Sequence, residues 1–516
     1  MDTAGAVPAG LARRLAVGAG DRDLIRIASP ATGDLLGEVP HATEEDVDAA
    51  VNRARAAQAA WKATPLRDRA TLLLRFHDLV LERRDEGLDL IQLESGKARA
   101  DALEEILETA NVSRYYARTS AGHLRPRRRR GALPLLTKAW EYHDPVGVVG
   151  IIVPWNFPLI LGMTDALPAL VAGCGVVIKL DSHTPYTALW AATLLDEAGF
   201  PPDLVQLVTG SGAELGPALI DRVDFVMFTG STRVGRSVAV HCGERLIGCS
   251  LELGGKNAMI VLDDADLDRT AEGARKGSFS HGGQMCVGME RIYVVEPLYE
   301  QFARRFSQVT KAMRLGVSLD YGDDMGSLLS QEQLETVRAH VDDAVEKGAS
   351  LLAGGRHRPD LGPFFYEPTI LAGVTPEMKV YADETFGPVV SLYRVDSEDE
   401  AVRLANASNY GLNFSVWTRR PSRGRALARR LEAGTVNVNE SYGAAWSSSG
   451  VPMGGVKASG LGRRHGAHGI EKFTESQAVV VQRLIPITGP SLMPKVRWER
   501  LVTAALRLLR RVPGVR

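Results

Sequence analysis

Aromatic residues make up only 6% of the 516-residue chain, and cysteine occurs four times, at Cys174, Cys242, Cys249 and Cys286. Four cysteines in so long a chain cannot build a disulfide scaffold, and the absence of any CxxC pair removes the usual zinc signature. Free thiols in a reducing cytosol are the expectation. An excess of one charge is also missing: 61 Lys plus Arg against 62 Asp plus Glu give a formal charge of −1. No global field is left for polyanions, so no nucleic acid partner is expected. The longest apolar runs, VGVVGIIV from Val146 and ALPALVAGCGVVI from Ala166, are interrupted by Gly or Pro and fall short of the roughly 20 residues that span a bilayer. Near the start, Arg13 and Arg14 break the one mildly apolar stretch, so no secretory h-region forms and a cytoplasmic protein is expected.

What is present is the composition of a soluble globular protein, 45% hydrophobic and 24% charged. At about 150 residues per domain the length allows two to four compact units. Residues 44–121 carry apolar side chains at helical spacing, with Thr43 as a plausible N-cap. Then VGVVGIIVP, VVIKL, LVQLVTG, VDFVMFTGS and NAMIVLD alternate with helical stretches, which predicts an α/β lobe with a parallel sheet. A second alternation follows Cys286, with strands expected at RIYVVE, FYEPTIL, VVSLYRV, FSVWT and TVNVN and a helix over residues 331–348. The basic run RPRRRR, residues 125–130, reads as a solvated connection. Toward the C-terminus, Trp498, Leu501, Val502, Ala505, Leu508, Leu509 and Val512 share one helical face and Arg497, Arg500, Arg507, Arg510 and Arg511 lie elsewhere. Such a stripe suits either an anionic membrane surface or the body of its own subunit.

Chemistry concentrates at three places. Cys286 lies in HGGQMCVG, where glycines reduce side-chain bulk near the sulfur, the access a nucleophile requires. Glu252 in LELGGKN is a candidate base for it. Asn156, on the loop that ends the VVGIIVPWNFP strand, offers an amide donor for an oxyanion; alone it reads equally as an Asx turn. The clusters GSGAELG from Gly210 and FTGSTRVG from Phe228 each follow a strand and open a helix, a geometry that presents N–H groups to phosphate.

Taken in order, PWNFP, VVIKL, FTGST, LELGGKN, GGQMC, ETFGPVV, NYGLN and PMGGVKASGLGR closely resemble the NAD(P)-dependent aldehyde dehydrogenase superfamily over residues 25–482. Glu252 precedes Cys286 by 34 positions, the spacing typical of that family. The wording around LIGCSLELGGKN and CVGMERIYV is most similar to bacterial NADP-type succinate-semialdehyde dehydrogenases. The resemblance implies an α/β fold of two Rossmann-type lobes plus a small β oligomerisation element. Residues 1–123 and 144–254 would form the nucleotide-binding domain, 255–454 the catalytic domain, 124–143 and 470–487 the oligomerisation element, and 488–516 a basic amphipathic tail.

It implies further that Cys286 attacks an aldehyde, that Asn156 and the Cys286 N–H hold the alkoxide, and that Glu252 activates water against the thioester. For the cofactor, NADP or NAD, it assigns Lys179 to the adenine ribose, with Trp155 nearby. Gly230 and Ser231 fall near the pyrophosphate, Leu253 under the nicotinamide, and Glu384 and Phe386 at its ribose and ring. Many NAD-preferring relatives place a glutamate three residues after the lysine; Ser182 stands there, which favours NADP. Positions where several succinate-semialdehyde enzymes carry arginines are Thr164 and Ser280, so a distal carboxylate would need another cation such as Arg291, and a broader or more apolar aldehyde is the alternative. Phe157, Leu161, Met163, Met285 and Trp446 would line such a pocket. A CoA-acylating enzyme is disfavoured by Glu252. A homodimer or homotetramer is implied.

Overall fold

A computed structural model describes residues 10–18, 22–132 and 136–511. The first long helix, Glu44–Trp61, begins at a reciprocal cap in which the Thr43 hydroxyl accepts from the Asp46 N–H and the Asp46 carboxylate accepts from the Thr43 N–H. Its Val47, Ala50, Val51 and Ala54 are buried at the spacing read from the sequence. The helical pattern that follows is not one helix. Arg83, with ψ at 22°, separates Leu66–Glu82 from Arg84–Ser95, and Gly96 in the left-handed region ends the second before Arg99–Leu124 begins.

Two parallel-dominated sheets carry the rest. The first runs, in hydrogen-bonded order, Gly460–Leu461, Gly248–Glu252, Phe225–Thr229, Val148–Ile152, Gly175–Leu180 and Val205–Thr209. All of these pairs are parallel except Gly460–Leu461 against Gly248–Glu252. Both faces of its central strands are covered, which is why they read as continuous apolar runs without alternation. The strand order reverses between Val148–Ile152 and Phe225–Thr229. A ligand crevice is expected outside the carboxyl ends there, and the loop bearing Asn156 and the turn bearing Gly230 both leave from that point.

The second sheet orders Ser350–Ala353, Thr369–Ala372, Val389–Val395, Met289–Val295, Asn257–Val261, Asn413–Trp417 and Thr435–Val438, antiparallel only at its first pair. A third, antiparallel sheet joins Thr474–Gln482, Thr137–Pro145 and Arg127–Arg130. Here the structure corrects the sequence reading: most of the basic run is a strand, not a connection. It tolerates its charge because it lies at an edge, where Arg127 pairs with Glu471 at 2.6 Å and Arg129 with Glu141.

The C-terminal helix Lys495–Leu509 buries none of its residues; the Trp498 Nε1–H donates to the Ile487 carbonyl at 2.9 Å. Val512 lies outside the described residues. Among the described residues no helix is long and apolar enough to cross a membrane.

Candidate active site

The carboxyl ends of the first sheet's strands and the amino ends of the second sheet's strands Asn257–Val261, Met289–Val295 and Val389–Val395 face one cavity of about 260 Å³. Trp155, Asn156, Gly230, Ser231, Glu252, Leu253, Cys286, Glu384 and Phe386, all singled out from the sequence, line it together with Thr229 and Gln333. Lys179 and Ser182 do not line it; they follow from the neighbouring strand Gly175–Leu180, where the Lys179 ammonium lies near Gly212 and the Ser182 hydroxyl donates to the Gly210 carbonyl at 3.3 Å.

Cys286 is half-buried at the cavity wall, just after the turn Ser280–Gly283. Three consecutive residues of that turn, His281, Gly282 and Gly283, have positive φ. A Cβ on Gly283 would stand 2.0 Å from the Gly387 carbonyl oxygen. The glycine is therefore required by backbone geometry, with access to the sulfur as a by-product. Burial pushes the Cys286 thiol up to about 12, and the nearby Glu252 and Glu384 carboxylates push the same way, so the resting thiol is protonated at neutral pH. Glu252 ends the strand Gly248–Glu252 and is 4% exposed. Burial raises its carboxyl to about 7 against the opposing pull of Arg464 and Lys472, which puts it in the range of a general base.

One N–H of the Asn156 amide donates to the Gln284 carbonyl at 2.9 Å, which orients the side chain and leaves its second N–H for another acceptor. Behind it lies a pair that sequence reasoning missed. Fully buried Lys97 donates to the Asn156 carbonyl at 2.8 Å and to Glu105 Oε1 at 2.5 Å, while Glu105 Oε2 accepts the N–H groups of Leu159 and Ile160 at 2.9 and 3.2 Å. The two charges fix the oxyanion-side loop between two helices. Only their occurrence inside a helical stretch shows in the sequence, and nothing there indicates that they meet.

The sequence profile described as the aldehyde dehydrogenase family matches residues 17–479. The chain belongs to the aldehyde dehydrogenase family. A Mycolicibacterium smegmatis protein named "Putative succinate-semialdehyde dehydrogenase (NADP(+))" is 49% identical over 94% of this chain and 93% of its own length. A 3-sulfolactaldehyde dehydrogenase of Pseudomonas putida is 38% identical over 90% of this chain and 94% of its own. Among solved structures, a Mycobacterium tuberculosis aldehyde dehydrogenase complexed with NAD+ superimposes with a TM-score of 0.87 at 33% identity, covering 92% of this chain and 99% of that one.

The lining of the cavity in this aldehyde dehydrogenase offers groups of the kind the nicotinamide end of a dinucleotide would need. Trp155 and Phe386 meet edge to face at 5.6 Å as apolar walls, and Phe386 is held with positive φ by its N–H donating to Glu290 at 3.0 Å. Gln333, a wall residue not foreseen from the sequence, donates to the Phe386 carbonyl at 2.6 Å. Glu384 accepts from the Gly255 N–H at 2.7 Å, and a Cβ on Gly254 would collide with its carboxylate. Ser231 caps the helix Thr232–Glu244, whose N-terminus thus opens at the cavity. Lys179 is 5% exposed and its ammonium forms no hydrogen bond among the described residues; burial lowers its pKa against the opposing pull of Asp181.

On the substrate side the expectation for Arg291 fails. Its guanidinium is buried and spent on the carbonyls of Lys256, Leu404 and Ala405 and on the Tyr293 hydroxyl. The Thr164 hydroxyl is likewise taken, by the Ile160 carbonyl at 2.7 Å. Phe157, Leu161, Met163, Met285 and Trp446 are all buried, with Phe157 packed on Trp446 at 5.6 Å. Among the described residues no cluster of metal-ligating side chains occurs.

Proposed function

We propose that the chain oxidises an aldehyde to the free carboxylic acid with NADP at least as well as with NAD. The carrying observation is the convergence of Cys286, Glu252 and Asn156 on one cavity, which Trp155, Glu384 and Phe386 also line. Because the Cys286 thiol is protonated at rest, its proton must leave as sulfur attacks the carbonyl carbon; the half-exposed sulfur can lose it to solvent, a transfer that Glu252 assists without being required for it. The new alkoxide is held by the free N–H of the Asn156 amide and by the Cys286 N–H, which makes no hydrogen bond elsewhere in the described backbone. When bound, the dinucleotide supplies the hydride acceptor. Any proton Glu252 has taken from the thiol passes to solvent; the carboxylate then takes a proton from the water that attacks the Cys286 thioester, and the departing sulfur is reprotonated to the resting thiol.

Ser182 in place of a carboxylate, beside the Lys179 ammonium, supports NADP over NAD, as do the names of the mycobacterial relatives. Those names also support succinate semialdehyde as the substrate. The spent Arg291 favours a second reading, an uncharged aldehyde, although Phe157, Leu161, Met163, Met285 and Trp446 pack in the core and do not line the cavity around Cys286. Measured with both dinucleotides across aldehydes from succinate semialdehyde to medium-chain and aromatic ones, kcat/KM is expected to be at least as high for NADP, with free acid formed in the absence of CoA. A tenfold preference for NAD rejects the cofactor assignment, and a strict CoA requirement rejects the hydrolytic one.

The assembly is a cytoplasmic homodimer or homotetramer in this reading. Its support is the edge strand Thr474–Gln482, whose Val479, Val480 and Val481 are 37%, 58% and 44% exposed, an apolar edge that a second copy would cover. The helix Lys495–Leu509 and its end set Lys495, Arg497, Arg500, Arg507, Arg510 and Arg511 against Glu499 alone, with Leu501 and Leu508 exposed, which suits an anionic lipid surface. Full-length protein should float with phosphatidylserine-containing liposomes while a chain ending at Ile487 stays behind; equal flotation removes the lipid reading.

A further inference from the structure

Glu252 is surrounded by a buried charge cluster that the scheme above leaves idle. Asp165, Arg464 and Lys472 have side chains 2%, 7% and 10% exposed. Lys472 Nζ lies 2.8 Å from Asp165 Oδ1, and Arg464 Nη2 lies 2.8 Å from Asp165 Oδ2 and donates to the Thr229 hydroxyl at 2.7 Å. Thr229 is the registered neighbour of Glu252 on one side of its strand and Gly460 on the other. The chain returns from Gly460 to Arg464, whose backbone exchanges hydrogen bonds with Met453 at 2.7 and 2.9 Å. That exchange fixes the adjoining Gly454, where a Cβ would come within 2.9 Å of Glu252 Oε1.

Buried without a hydrogen-bond partner in this region are Arg464 Nε, Glu252 Oε1, His465 Nδ1 and Asp165 Oδ2, the last of which meets Arg464 only as an ion pair. Two cations and one anion leave the cluster with one positive charge, which an ionised Glu252 neutralises. We propose that Arg464, anchored by Asp165 and Thr229, is a positioning residue that keeps Glu252 an oriented carboxylate for thioester hydrolysis, with Lys472 holding Asp165 in place. The proposal rests on Glu252 being the base. The charged groups facing Glu252 are Arg463, Arg464, Lys472 and Asp165, with the Cys286 thiol across the cavity. His465, next to Arg464, is pulled down to about 4 by burial and by Arg464 and is neutral at pH 7.

The test is the pH dependence of acid release in a single turnover of the full chain loaded with NADP. Arg464→Gln should move the acid limb up by about one pH unit from about 7, roughly a fivefold slower hydrolysis at pH 7, while the burst of NADPH and the Kd for NADP stay at wild-type values. Arg464→Lys should restore most of the limb. Lys472→Met should shift it in the same direction by less, which keeps the test open if Arg464→Gln folds poorly. An unmoved limb in both Arg464→Gln and Lys472→Met overturns the proposal, as does a uniform loss of rate without a shift. Glu252→Gln, run in parallel, separates the two claims. If it stalls after one burst while the limb of Arg464→Gln is unmoved, only the role of Arg464 falls; if it turns over steadily, the base assignment itself falls.

Discussion

Cys286→Ala abolishes aldehyde oxidation, by about 10⁴-fold or more, the scale on which removing a catalytic nucleophile acts. Nothing else in the cavity replaces it: Cys174 and Cys242 are buried, and Cys249 belongs to a strand position outside the lining. The variant still binds NADP, because no cofactor-side contact runs through the sulfur. A concentration of NADP a hundred times its Kd should stabilise wild type and variant alike by about 2.7 kcal/mol, read as an equal rise in Tm. Cys286→Ser is expected to fare little better, since a hydroxyl is still harder to deprotonate than a thiol already pushed up to about 12. Turnover persisting in the alanine variant would remove the covalent route entirely.

Glu252→Gln separates the two halves of the reaction. The amide keeps the shape of the side chain and cannot accept the proton of the attacking water, so each active site should release about one NADPH and then stall. Steady turnover is expected to fall about 10² to 10⁴-fold, the usual contribution of a positioned base. Rapid mixing with NADP and aldehyde reads the burst directly, and a linear trace at wild-type slope would show that Glu252 is not needed. The same group sets the wild-type pH profile. Burial raises its pKa to about 7, and only the unprotonated form accepts a proton, so hydrolysis is present above that pH and is lost as pH falls through it. Rates between pH 5 and 9 should rise through about 7. A flat profile across that range contradicts the assignment.

Much of this was legible before any coordinates. The strands NAMIVLD, VVIKL and VDFVMFTGS stand where their β-branched runs put them, and Thr43 caps its helix as its side chain and the following acids suggest. Local signals failed where a single residue decides continuity: Arg83 splits a helical pattern whose apolar spacing runs unbroken across it. They failed again at residues 127–130, where four arginines argue for solvent and an edge strand with acidic neighbours accepts them. Arg291 shows the opposite error. Its charge marked it as a free cation, and three backbone carbonyls from distant segments consume its guanidinium.

By itself the sequence determined the alternation of strands and helices, the family, and the cysteine, glutamate and asparagine proposed to bear the chemistry, because each depends on residue type and short-range spacing. Only the tertiary structure decided which charges meet. Lys97 reaches the Asn156 carbonyl across 59 positions, and Arg464, paired with Asp165, bonds the Thr229 hydroxyl on the strand beside Glu252. Coulomb energy and desolvation depend on distance in space and on burial, and neither is written in the order of residues along a chain.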